Sequence, residues 1–158
     1  MDPSDLLKAA RDLVNVNGGK PRQANLNRAT STAYYALFHT LAKNCADLMM
    51  GGNGSSRSRH AWKQVYRALS HGPTKKACSH KSVEKFPKEV QDFANMFVQM
   101  QTKRHAADYD PTTRSKKSTV LLDIEGVEAA INDFMKAAVK DRRAFAALVL
   151  FKQQNERE

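Results

Sequence analysis

The chain has 158 residues, 41% of them hydrophobic and 27% charged, the size and mix of one globular domain with its own core. Its 26 Lys and Arg outweigh 16 Asp and Glu, and the formal charge of +10 directs attention to a polyanionic partner, nucleic acid before membrane. The longest apolar run, AFAALVLF, falls short of the roughly 18 residues a spanning helix requires, and the acidic start MDPSD lacks the basic region of a signal peptide, so a soluble cytoplasmic protein without membrane partners is expected.

Asp2 is placed to cap a first helix with Pro3 in its first turn; Leu6, Leu7, Ala10, Leu13 and Val14 recur at helical spacing before Gly18 and Gly19 stop it. A long second helix is expected from about Arg22 to Gly51-Gly52. It carries Ala29, Ala33, Leu37, Leu41, Cys45 and Met49 every four residues, flanked by Leu26, Tyr34, Phe38 and Leu48. GGNGSS then reads as a flexible linker. Ser56 is the expected cap of a third helix with Trp62, Val65, Tyr66 and Leu69 inward, ending at Gly72-Pro73, and a short helical turn follows over Lys75–Ser79.

Pro87 suits the first turn of a fourth major helix with Val90, Phe93, Ala94, Phe97 and Met100 or Gln101 inward, which must end before Pro111. Ser118 or Asp123 would cap a fifth helix bearing Val127, Ala130, Ile131, Phe134 and Ala138. Asp141 would cap a sixth, to about residue 155, with Phe145, Leu148, Val149 and Phe151. No segment reads as a strand. The expected fold is all-α: a single domain over residues 1–158, an up-and-down helical bundle of five to six helices with one long helix.

Two cysteines without CxxC spacing suggest neither a disulfide framework nor a zinc site, and no metal or cofactor is expected. Cys45 lies on an apolar stripe. Cys78, in KKACSHK, has lysine neighbours of the kind that activate a thiol, but core packing is the preferred reading for both cysteines.

Between Arg57 and Glu89 nine basic residues face two acidic ones, a net +7. Arg59, Lys63 and Arg67 repeat every four residues as one ridge, where like charges repel by a few tenths of a kcal/mol per pair in an isolated helix. Such a ridge suits a phosphate backbone better than a merely solvated face, which would mix signs. Arg57, Lys75, Lys76 and, farther along, Lys103 join it as candidate nucleic-acid contacts. Trp62 and Tyr66 match the buried period and read as core before stacking platforms.

The long helix also carries a polar stripe, Arg28, Ser31, Tyr35 and His39, which needs hydrogen-bonding partners; KRHAADYD, closing another helix, is a natural supplier. Within it Arg104 and Asp108 are four apart, as are His105 and Tyr109, so two local pairs are available.

ATSTAYYALFH on a long helix, followed downstream by RHAADYD at the end of another, resembles the HEPN superfamily of small prokaryotic helical domains, in the branch carrying YYAxFH and RxxADY. The resemblance spans roughly Leu6 to Ala138. It implies an up-and-down bundle, a homodimer with the motif helices facing each other, and metal-independent RNA cleavage or RNA binding in toxin-antitoxin, phage-defence or stress systems. In the ribonuclease members an arginine is followed, after about four to six residues, by a histidine. Arg104 matches the arginine, whereas Asp108 and Tyr109 stand where the shorter forms of that signature carry the histidine.

The resemblance makes Arg104 a phosphate clamp. His39 or His105 is then the candidate base or acid, Tyr109 a proton or hydrogen-bond donor, and Asp108 a group that orients His39 or Arg104, with Arg28 and Tyr35 in support. A plain intrahelical ion pair for Arg104 and Asp108 and an interior role for His39 are the structural alternatives. Three functions stay open: a homodimeric endoribonuclease, a non-catalytic interaction module or antitoxin partnering a nucleotidyltransferase or nuclease, and a nucleotide-sensing domain.

Overall fold

In the structure, a computed structural model describing residues 1–16 and 18–152, side chains cap the starts of two α-helices, the first and the third, and the others begin without such a bond. Asp2 accepts the Ser4 amide at 2.9 Å and Pro3 fills the first position of α1 (Pro3–Asn15). The long helix α2 (Gln23–Met50) has 28 residues, about 42 Å at 1.5 Å per residue. Gly51 ends it at φ +101°, with its amide bonded to the Asp47 carbonyl at 2.9 Å.

Next come α3 (Arg59–Ala68), α4 (His71–Cys78), a 3-10 turn (Lys81–Lys85), α5 (Lys88–Tyr109), α6 (Lys117–Lys136) and α7 (Val139–Leu150). The described residues thus form seven α-helices and no strand, which is the all-α class the sequence predicts, with more helices than expected. The added helix comes from a break the periodicity hides. Leu69 turns extended, and the chain re-enters α4 with Gly72 and Pro73 inside its first turn, where proline's missing N–H costs nothing.

Several predicted caps move. Ser58, not Ser56, accepts the Ala61 amide at 3.1 Å. Lys116 precedes α6 without a side-chain cap, so neither Ser118 nor Asp123 serves as one. Ala138, not Asp141, is the N-cap of α7, and the expected extension toward residue 155 lies partly outside the described residues. Met49 and Phe151, predicted inward, are exposed because each sits at a helix end with little left to cover it.

Cross-contacts fix the directions of the helices. Ser31 meets Asp108 and Tyr34 meets Phe97, so α2 and α5 run antiparallel. Lys103 meets Asp123 and Phe93 stacks on Phe134 at 4.3 Å, so α5 and α6 do too. Arg11 of α1 pairs with Glu128 of α6 at 3.1 Å, so α1, α2, α5 and α6 are joined as one four-helix core. The core is a Phe93, Phe134 and Phe145 cluster, continued by Leu37, Leu41 and Phe97, all fully buried; each such side chain contributes about 1.5–3 kcal/mol by leaving water.

The segment α3 is different in kind. None of its residues is buried, and it leans on α2 through Trp62, Val65 and Tyr66. No described helix is long and apolar enough to cross a membrane.

Candidate functional site

The polar stripe of α2 meets the last turns of α5 and the start of α4. Arg104 is only 9% exposed. Its guanidinium carbon lies 5.0 Å from the centre of the Tyr34 ring and 5.8 Å from that of Tyr35, within cation–π range. One terminal nitrogen is 3.7 Å from Asp108 Oδ2, long for a hydrogen bond, and Nε is buried without a partner. Asp108 is held from the other side, where its Oδ1 accepts the Ser31 hydroxyl at 2.5 Å. Ser31, rather than His39, is therefore the group on α2 that Asp108 engages.

Two phenol–imidazole pairs complete the cluster. Tyr34 OH is 2.6 Å from Nδ1 of His71, whose ring stacks on Phe38 with centroids 4.2 Å apart. His39 Nδ1 hydrogen-bonds the Tyr66 hydroxyl. Tyr35 lies between the two imidazoles, 5.8 Å from His71 and 6.2 Å from His39 between ring centres.

Burial chiefly lowers the His71 pKa, aided by the charges of Arg104 and His39, and burial lowers that of His39 as well. Both imidazoles are therefore neutral at pH 7 and able to accept a proton. Burial pushes the Tyr34 phenol upward against the opposing pull of Arg104, so the phenol keeps its proton. The simplest assignment has Tyr34 O–H donate to His71 Nδ1, leaving the proton of His71 on Nε2.

Other predicted residues lie elsewhere. His105 and Tyr109 pair with each other, ring centres 4.9 Å apart, on the exposed side of α5 away from Arg104; Tyr109 is 67% exposed. Arg28 is exposed one turn before Ser31. Arg59, Lys63, Arg67 and Lys76 are exposed and Lys75 half-buried, so most of the cationic ridge faces solvent.

Two of the expected phosphate contacts are occupied. Arg57 donates to Asp47 at 3.2 Å, to the Gly51 carbonyl at 2.9 Å and to Asn53, with its guanidinium over the Trp62 ring at 4.7 Å. Lys103 is gripped by both oxygens of Asp123 at 2.8 and 2.9 Å.

Trp62 is half-buried and donates Nε1–H to Asp47 at 2.8 Å. Partial burial works to raise the Asp47 pKa, yet hydrogen bonds from Lys43 and Trp62 and the charges of Lys43 and Arg57 outweigh it and hold the carboxyl low. Burial takes both thiols the opposite way to activation, to about 12 at Cys45 and about 12 at Cys78. Among the described residues no three His, Cys, Asp or Glu side chains gather where they could hold a metal ion.

Sequence reasoning missed His71 as a member of the cluster and read Tyr34 and Tyr66 only as core. The available signal was Tyr34 itself, an interior tyrosine whose hydroxyl needs a partner. Comparisons of the chain with protein-family models, curated proteins and solved structures give no match.

Proposed function

We propose that the protein is an RNA-binding HEPN-like homodimer that cleaves RNA without a metal, in a prokaryotic toxin-antitoxin, phage-defence or stress setting. The observation that supports this reading is the meeting of two distant motifs around one cation. The tyrosines of YYALFH lie against the Arg104 guanidinium of RHAADY, and Ser31 just ahead of the first motif grips Asp108 of the second.

Cleavage by the RNA's own 2′-hydroxyl needs a group to take its proton, a cation for the phosphoryl oxygens and a donor for the departing 5′-oxygen. Arg104 supplies the cation, and its unpartnered Nε–H leaves donor capacity unused. His39, held neutral, supplies the acceptor role that the absent signature histidine would have filled, through Nε2 when its Nδ1–H donates to the Tyr66 oxygen; His71 does so only with its tautomer reversed, Nδ1–H donating to the Tyr34 oxygen. The exposed ridge of α3 supplies the salt-sensitive attraction for the strand.

Purified protein should degrade single-stranded RNA with EDTA present, and Arg104→Lys should slow it by about 10²-fold or more while sedimentation shows an unchanged dimer. His71→Gln and His39→Gln identify the base by which of them removes the acidic limb of the pH–rate profile. Absence of both cleavage and binding would end the reading.

A second reading has its own support. Asp108 and Tyr109 occupy the place of the signature histidine, and Arg104 is mostly covered, as suits a non-catalytic interaction module or antitoxin for a nucleotidyltransferase or nuclease. RNA binding that weakens steeply with salt, without cleavage, selects it.

A further inference from the structure

Beside the α2–α5 seam, a groove of about 420 Å³ opens between α5, the loop after it and the start of α6. Three cations reach it, Lys103, Arg114 and Lys116, against one carboxylate, Asp123. Asp123 neutralises Lys103 through both oxygens, so the charges of Arg114 and Lys116 are left over.

The 20-residue helix α6 begins at this groove with a lysine as N-cap and no side-chain hydrogen bond to its first amides. A lysine there is the wrong sign for the positive end of a helix, and the free N–H groups of the first turn have no acceptor from the cap. The loop is braced in place: the Gln23 side chain donates to the Ser115 carbonyl at 3.0 Å and accepts the Ser115 amide at 2.9 Å.

An independent observation comes from α2. Thr30 lines the groove and is 4% exposed, yet its hydroxyl enters none of the described hydrogen bonds. Thr32 and Thr40 on the same helix return theirs to backbone carbonyls at 2.7 and 2.8 Å. A free hydroxyl on an otherwise covered residue of the groove wall, beside free amides and surplus cations, completes a donor set for an anion with several oxygens.

We propose that this groove binds a phosphate group, carried as a phosphomonoester or as a phosphodiester, through the α6 amides, Thr30, Arg114 and Lys116. The proposal does not depend on the chemistry assigned to Arg104.

The test is a titration of the full ¹⁵N-labelled chain with inorganic phosphate at low ionic strength, against chloride at equal ionic strength. Saturable shifts are expected at the amides of Lys117, Ser118 and Thr119. The surface double variant Arg114→Gln/Lys116→Gln should bind about tenfold more weakly, and the near-isosteric Thr30→Val measurably so. Non-saturating shifts equal to those in chloride, or unchanged affinity in the double variant, would overturn the proposal. Two trinucleotides, with and without a 5′-phosphate, then identify the source. Shifts from both assign a phosphodiester, shifts from the phosphorylated one alone assign a phosphomonoester, and shifts from neither overturn it. These shifts should persist in Arg104→Lys protein whether or not RNA is cleaved, which separates failure here from failure at Arg104.

Discussion

Replacing Asp47 by alanine should release α3 while leaving the four-helix core standing. Asp47 gathers the donors that hold the segment after α2: Trp62 Nε1 at 2.8 Å, Arg57 at 3.2 Å and Lys43 at 2.6 Å. Its side chain is 22% exposed, so the bonds are partly screened. A hydrogen bond to a charged group contributes about 1.5–3 kcal/mol, and the more open Lys43 pair adds no more than about 0.5. Arg57 keeps the Gly51 carbonyl and Asn53 as partners, which limits its loss. A net cost of about 2 kcal/mol to α3 docking follows, leaving the Tyr66–His39 bond and the half-buried Val65 and Tyr66 as its remaining attachments. A ten-residue helix off its support is marginal in water, so undocking and melting coincide. Amide exchange in α3 should therefore quicken by roughly 30-fold, with α5 and α6 unchanged. The chain's single tryptophan is Trp62, so its emission should shift red in step. Equal acceleration in every helix, or none in α3, would show that Asp47 is not the local anchor. Asp47→Asn, which keeps an acceptor for Trp62 without the charge, should fall between.

Three further outcomes are expected. Gly51→Ala should cost about 1–3 kcal/mol in urea unfolding, because φ is +101° and the new Cβ would lie 2.5 Å from Ser55 Oγ; Gly54→Asn, at φ +81° with open space around it, should cost far less. His39 and His71 have folded pKa values below the unfolded 6.5, so the stability they confer is complete above that pH and is lost as pH falls through the folded values. The urea midpoint should drop between pH 7.5 and pH 5, and His39→Gln/His71→Gln should flatten that slope. Both cysteines should resist a thiol reagent in the native protein and react on unfolding, since each is buried with its pKa at about 12.

The helices were legible because apolar residues recur every three or four positions over long stretches, and the period alone places Leu37, Leu41, Phe93, Phe97 and Phe134 inside. The α3–α4 break was not, since Gly72-Pro73 looks like a stop while the true change of direction is at Leu69, a residue with no turn signature. In the polar cluster, spacing placed Ser31, Tyr35 and His39 on one face and Arg104 with Asp108 on another. It could not choose between the equally spaced pairs at the end of α5, and only packing turns Arg104 inward and His105 outward. His71 was beyond reach for the same reason, because its partner Tyr34 is 37 residues away and only tertiary structure joins them.

The shallow mounting of α3 means that a whole ridge of surface charge is carried on a helix with no buried residue. A polyanion drawn to Arg59, Lys63 and Arg67 would pull on a lever whose inner end is the Tyr66–His39 latch. Grip on the outside would then bear on the half-buried imidazole within, whereas cargo that only brushes the ridge would leave the latch shut.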